Sequence, residues 1–106
     1  MLVDPSRIMR DVRNVTVNTT NTIIAGFNPR RVRIAISSPL SNPVNLDPNA
    51  PATATTGWPL VVGGFPQVYG DGETPGLYGQ CLNAIAIGGS AQVQVVDEFI
   101  AQEYMP

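Results

Sequence analysis

Apolar and polar residues alternate along much of the chain. Asn14-Val15-Thr16-Val17-Asn18 has a period of two, and in Arg31-Val32-Arg33-Ile34-Ala35-Ile36-Ser37 the apolar Val32, Ile34 and Ile36 point one way and the arginines the other. Such alternation predicts strands with one buried face. Thr22-Ile23-Ile24-Ala25 is a short β-branched run before Gly26-Phe27-Asn28-Pro29, whose turn chemistry predicts a hairpin over residues 22–37. Val44-Asn45-Leu46 is a further short strand between prolines. Residues 47–59, with Pro48, Pro51, Gly57 and Pro59, predict a long surface loop.

The second half continues in the same way. Leu60-Val61-Val62 precedes Gly63-Gly64, and Gln67-Val68-Tyr69 precedes the Gly-rich stretch from Gly70 to Gly76. Leu77 to Ile87 is long enough for a central strand, with Leu82, Ala84 and Ala86 on one face, and Gly88-Gly89-Ser90 closes it with a turn. Ala91-Gln92-Val93-Gln94-Val95 alternates until Val96-Asp97 breaks the phase, which predicts a bulge or an exit from the core. Seven or eight short antiparallel strands joined by Gly/Pro turns predict an all-β fold, a single small β-sandwich or jelly roll. The expected organisation is an N-terminal arm over residues 1–13, a sandwich over 14–100 and a C-terminal tail over 101–106. The arm is either extended or a turn or two of helix started by Asp4 and Pro5.

A chain of 106 residues has room for one domain, and its 13% of charged residues is about half the usual share. Histidine and lysine are both absent. That excludes Ser-His-Asp and Cys-His pairs, the usual zinc sites, Schiff-base lysines and the P-loop. Cys81, alone in an apolar run, is expected as a buried thiol and cannot form an internal disulfide. Asp97 and Glu98 are adjacent and so face opposite sides of a strand, which spoils them as a catalytic pair; solvated edge charges account for them better. The Gly70-Asp71-Gly72-Glu73 turn lacks the full ligand pattern of a calcium loop. The chain is expected to be a non-enzyme with no cofactor and no metal.

Charge is distributed unevenly. All six basic residues are arginines between Arg7 and Arg33, opposed there by Asp4 and Asp11 alone, a balance of +4; residues 34–106 hold six acids and no base, −6. This division suits contact between unlike regions of neighbouring subunits. Arg31 and Arg33 are expected on one strand face, and Arg7, Arg10 and Arg13 would share a helix face if the arm is helical. A sequence pI near 4.7, no Lys and no aromatic among the arginines except Phe27 argue against nucleic acid as a partner. Carboxylates on a protein partner fit Arg forks better. No apolar run is long enough to cross a bilayer as a helix, and no secretory signal is recognisable at the start. Trp58, Phe65, Tyr69 and Tyr78 lie among glycines and prolines, as subunit contacts or as platforms for a sugar ring.

The segments from Asn28 to Ser37, Pro59 to Gly64, and Leu77 through Gly88 to Glu98 together resemble a class of short bacteriophage virion proteins. In that class an N-x-x-R-x-x-I-x-I strand, a P-L-x-x-G-G turn and a closing A-I-A-x-x-G-x-A-x-V-x-V-x-E hairpin recur in order. The resemblance covers about residues 14–98 and implies a β-sandwich that coats or cements a capsid, commonly as a trimer. The expected function is therefore capsid decoration on the virion exterior by a protein made in the host bacterial cytoplasm, with the major capsid protein and its own copies as partners. Leu2, Val3, Ile8 and Met9 would fill shallow pockets on the shell, and Arg7, Arg10, Arg13, Arg31 and Arg33 would meet its carboxylates. Trp58 and Phe65 would lie between subunits of a homotrimer. The alternative is a tail or head-fibre component that binds carbohydrate.

Overall fold

A computed structural model of the chain describes residues 7–48, 51–55, 57–72 and 78–101. Eight strands follow in order: β1 (Ile8–Val17), β2 (Thr22–Ala25), β3 (Arg31–Ile36), β4 (Val44–Asp47), β5 (Trp58–Leu60), β6 (Gln67–Tyr69), β7 (Leu82–Ala86) and β8 (Ala91–Ile100). They pair antiparallel as β1 with β8, β2 with β7, β3 with β6 and β4 with β5, as in one long hairpin whose tip lies between β4 and β5. Rolling that hairpin adds the β3–β8 and β4–β7 ladders and closes two four-stranded sheets, β1-β8-β3-β6 and β2-β7-β4-β5. This is the order of an eight-stranded jelly roll. The all-β sandwich expected from the pattern is the architecture present.

Alternation positions the core. Val17, Ile34, Ile36, Val93 and Val95 from one sheet meet Ile24, Val44, Leu46, Leu82, Ala84 and Ala86 from the other, all nearly inaccessible to water. Burying a Val, Leu or Ile side chain contributes about 1.5–3 kcal/mol, so this layer is the main source of stability. Alanines at 84, 86 and 91 keep the two sheets close where larger side chains face them.

Several expectations are corrected. Residues 22–37 are not a hairpin, because β2 belongs to one sheet and β3 to the other, and Gly26 to Arg30 carries the chain between them. Ile24 and Ile34 accordingly enter the core from opposite layers. The loop expected over residues 47–59 gives way to a strand at its end, since Trp58–Leu60 is β5, paired with β4, and Val61 and Val62 beyond it are exposed. Cys81 is half-buried, just before β7. Most of the proposed arm is not separate: Ile8–Arg13 is the first half of β1, in register with β8 from Ile8 opposite Ile100 onward, and is not helical. At the other end, the Ala101 amide donates to the Arg7 carbonyl at 3.2 Å. Leu2 and Val3 and the tail beyond Ala101 lie outside the described residues.

The long loop after β4 folds back over the outer face of the β2-β7-β4-β5 sheet. Asn45 and Asn83 point outward there, yet are 7% and 8% exposed. Asn45 Nδ2 donates to the Thr53 carbonyl at 3.0 Å, and the Ala52 amide donates to Asn21 Oδ1 at 2.7 Å. Asn21 Nδ2 in turn donates to Asn83 Oδ1 at 3.2 Å. Gly57, at φ +99°, ends this roof where its backbone passes against the Leu46 carbonyl.

Candidate functional site

The arginines expected to meet a partner are drawn toward two adjacent acids on β8. β8 is a central strand, between β1 and β3, so Asp97 and Glu98 are not edge charges. They are 6% and 9% exposed, and as neighbours on a strand they face opposite sides of the sheet. Alternation along β8 does not break at Asp97. Positions 91, 93, 95 and 97 all turn inward, and the last of them carries a charge instead of a methyl group.

Arg31 meets Asp97 in the interior. Its Nε donates to Asp97 Oδ1 at 2.8 Å and its Nη2 to Oδ2 at 3.1 Å, a two-pronged pair. Nη2 also donates to the Gly26 carbonyl at 2.9 Å, and Nη1 donates to the carbonyls of Tyr78 and Gln80 at 3.1 and 3.0 Å. A guanidinium has five N–H groups, and all five are used. Arg31, 1% exposed, therefore fastens β3 and β8 of one sheet to the segments that leave β2 and enter β7 of the other. It is a structural clamp and not a contact for a partner, which corrects the expectation placed on it.

A bulge explains why Arg31 and Arg33 do not share a face. Arg31 lies opposite Phe99 and Arg33 opposite Glu98, so three residues of β3 span two of β8, with Val32 as the extra one. The Val32 carbonyl accepts the Gly72 amide at 3.0 Å, and the backbone at Gly70, φ +96°, passes so close to that carbonyl that no Cβ would fit. Arg31 therefore turns inward and Arg33 outward, where Arg33 pairs with Glu98. Arg10, directly across from Glu98 on β1, approaches the same carboxylate at 3.5 Å.

Arg13 is on the inner side of β1. It pairs with Asp11 at 2.5 Å, approaches Asp97 at 4.0 Å and donates to the Ile24 carbonyl at 2.9 Å. Arg30 lies over the Phe99 ring at 5.3 Å and donates to the Ile100 carbonyl at 3.1 Å. Much of the charge division along the chain is thus satisfied within the chain, across β1, β8 and β3. Arg10 and Arg33 keep solvent contact in these pairs, with side chains 62% and 45% exposed.

The aromatic residues separate into two settings. Tyr69 and Tyr78 pack against one another with ring centres 5.6 Å apart and planes tilted by 40°, beside Arg31. The space there is about 10 Å³, enough for one water and too small for a sugar. Burial, and then the nearby Asp47 carboxylate and Tyr78, hold the Tyr69 phenol above its ordinary pKa of 10.0. Trp58 and Phe65 instead stand out from the β5–β6 region, 54% and 93% exposed. Of the other residues expected to contact a shell, Ile8 is half-buried and Met9 is 50% exposed. Among the described residues no group of His, Cys, Asp and Glu is arranged to hold a metal.

No family model and no curated protein matches the chain. A solved structure described as "Bacillus endospore appendages form a novel family of disulfide-linked pili" superposes with a TM-score of 0.54 over 90% of this chain and 89% of that one. The likeness is one of fold. At 11% identity it supports the jelly-roll arrangement and assigns no residue a role.

Proposed function

We propose that the protein is a non-enzymatic structural component of a bacteriophage particle that decorates the capsid by bridging neighbouring major capsid subunits. The carrying observation is the surface. Its paired charges are largely turned to one another, whereas Phe65, Leu40, Phe27, Ile23, Val61 and Trp58 each expose more than half of the side chain. Contact with a neighbouring subunit would take such side chains out of water. The sequence resemblance supplies the kind of particle. Its homotrimer would use Trp58, half exposed on β5, and Phe65, 93% exposed ahead of β6.

The test is sedimentation of the purified chain with empty shells assembled from the major capsid protein of the same genome. Co-sedimentation of a trimer is expected, and a monomer that stays in the supernatant overturns the reading. A second reading, a subunit of a protein filament, is favoured by the fold likeness to a pilus protein. Subunits linked in series by disulfides need at least two cysteines each, and this sequence has Cys81 alone. A filament of this chain would therefore be held by noncovalent contacts, and electron microscopy of the concentrated protein distinguishes it from closed trimers.

A further inference from the structure

The edge strands of the two sheets are β1 and β6 in one and β2 and β5 in the other, and they are unequal. β5 carries Pro59 at its middle position, β2 is interrupted by a register shift between Ile23 and Ala25, and β6 has three residues. Each of these features discourages a further strand from adding. β1 has none of them. It runs ten residues without proline or glycine, in unbroken register with β8, and no described strand covers its other side. The backbone phase along β1 follows from its two ends. The Arg7 carbonyl accepts the Ala101 amide, and the Asn18 carbonyl turns away from β8 to accept the Ala86 amide. Odd-numbered residues of β1 therefore bond to β8, and Ile8, Arg10, Val12, Asn14 and Thr16 turn their amides and carbonyls to the open edge.

We infer that this edge pairs antiparallel with β1 of a second copy, about a two-fold axis at Val12. The open groups meet only when even-numbered residues face even-numbered ones, and Val12 is the centre of Ile8–Thr16, so this axis gives the longest ladder. Charge selects the same axis. An axis at Arg10, Asp11 or Arg13 would set that residue directly against its own copy, which is unfavourable. With the axis at Val12, Asp11 lies opposite the copy's Arg13, and Arg13 opposite the copy's Asp11. These two already pair within each strand at 2.5 Å, and Arg13 lies 4.0 Å from Asp97. Docking sets the Asp11–Arg13 pair against its inverted copy, so the signs alternate around the four groups. Inward charges on an edge strand ordinarily repel an incoming strand, and here they admit one that carries the same pair inverted. The apolar side chains agree: Val12, 51% exposed, meets its own copy, and Met9, 50% exposed, meets the copy's half-buried Val15. No other described edge offers a regular ladder of this length, so the match for β1 within the chain is another β1. Phe65 lies ahead of β6, at the far edge of the same sheet, and Trp58 on β5 of the other sheet, so the pairing is additional to the trimer and joins copies from different trimers.

The test is disulfide trapping in the full chain, with Cys81→Ser as the background. Facing residues of a hydrogen-bonded antiparallel pair have Cα atoms about 5.5 Å apart, within disulfide reach. Val12→Cys is therefore expected to give covalent dimer in a glutathione redox buffer. Asn14→Cys, equally on the open edge but roughly 14 Å from its own copy in this register, is expected to give at least about tenfold less. In the absence of the new cysteines, sedimentation velocity is expected to show mass above the trimer as concentration rises. Asp11→Arg sets like charges opposite one another and is expected to weaken that association about tenfold. Val12→Pro is expected to abolish it, because the amide it removes points away from β8 and serves only the new ladder. Thermal midpoints close to wild type establish that the variants are folded.

Equal trapping of the folded Val12→Cys and Asn14→Cys variants overturns the pairing. Trapping in neither also overturns it and leaves the edge to a strand of another protein. Mass that grows as readily in Val12→Pro as in wild type overturns it too, since the contact then lies elsewhere. Association that starts from a monomer instead of a trimer, with trapping at Val12→Cys as expected, sustains the pairing and refutes the trimer, so the two claims fail separately.

Discussion

Replacing Arg31 with methionine keeps the length and apolar stem of the side chain and removes five donated hydrogen bonds. Asp97 then sits 6% exposed with its main partner gone, leaving Arg13, 4.0 Å away, as the nearest cation. Removing one member of a buried ion pair costs about 3–5 kcal/mol, since the remaining charge stays desolvated. The carbonyls of Gly26, Tyr78 and Gln80 lose their donor as well, which places Arg31→Met at the upper end of that range. For a domain whose total stability is about 5–15 kcal/mol, this is a third of it or more. The melting temperature should fall by about 15–30 °C.

The assay is urea and thermal unfolding followed by circular dichroism, with the slope of the urea transition checked for a change in mechanism. The double variant Arg31→Met, Asp97→Leu removes both charges and should be more stable than Arg31→Met alone, because no carboxylate is then buried without a partner. A loss below about 1 kcal/mol in the single variant would refute the clamp, since surface pairs contribute that little. So would a double variant whose loss equals the sum of the two single ones.

Gly70→Ala should cost about 2 kcal/mol or more, read from the urea midpoint, because its φ of +96° and the adjacent Val32 carbonyl both exclude a Cβ. The folded-state pKa of Tyr69 is raised, so the folded protein favours the neutral phenol. Its contribution to stability is full below the ordinary pKa of 10.0 and is lost as pH rises through the raised value; Tyr69→Phe should flatten the stability profile above pH 10, measured by urea titration at several pH values. Trp58→Ser and Phe65→Ser change exposed positions, so each should leave the melting temperature within a few degrees of wild type while sedimentation velocity shows trimer giving way to monomer.

The strands with aliphatic inner positions were legible in the sequence. Ile34 and Ile36, and Leu82, Ala84 and Ala86, announce their buried face by simple alternation, and the jelly-roll class follows from the number of such runs. The ionic end of the sandwich hid itself for the same reason. Asp11, Arg13 and Asp97 occupy inward positions of β1 and β8, so the alternation continues in geometry while it stops in polarity, and Ile8–Arg13 reads as an arm and Asp97 as an edge charge. The bulge at Val32 is equally silent, because its cause is a distant contact with Gly70 and Gly72. A sign was present in the lone run Arg30-Arg31-Val32-Arg33 ahead of a core strand: three arginines beside a core strand, in a chain with two adjacent acids on its last strand, ask for partners. The roof over Asn45 and Asn83 was foreshadowed only as a loop, since prolines forbid a ladder but do not say which surface the loop covers.

Capsid decoration stands or falls on one measurement, the native mass of the chain alone and after sedimentation with empty shells of the major capsid protein. A trimer that travels with the shells is the result predicted. A chain that stays monomeric and remains in the supernatant contradicts it.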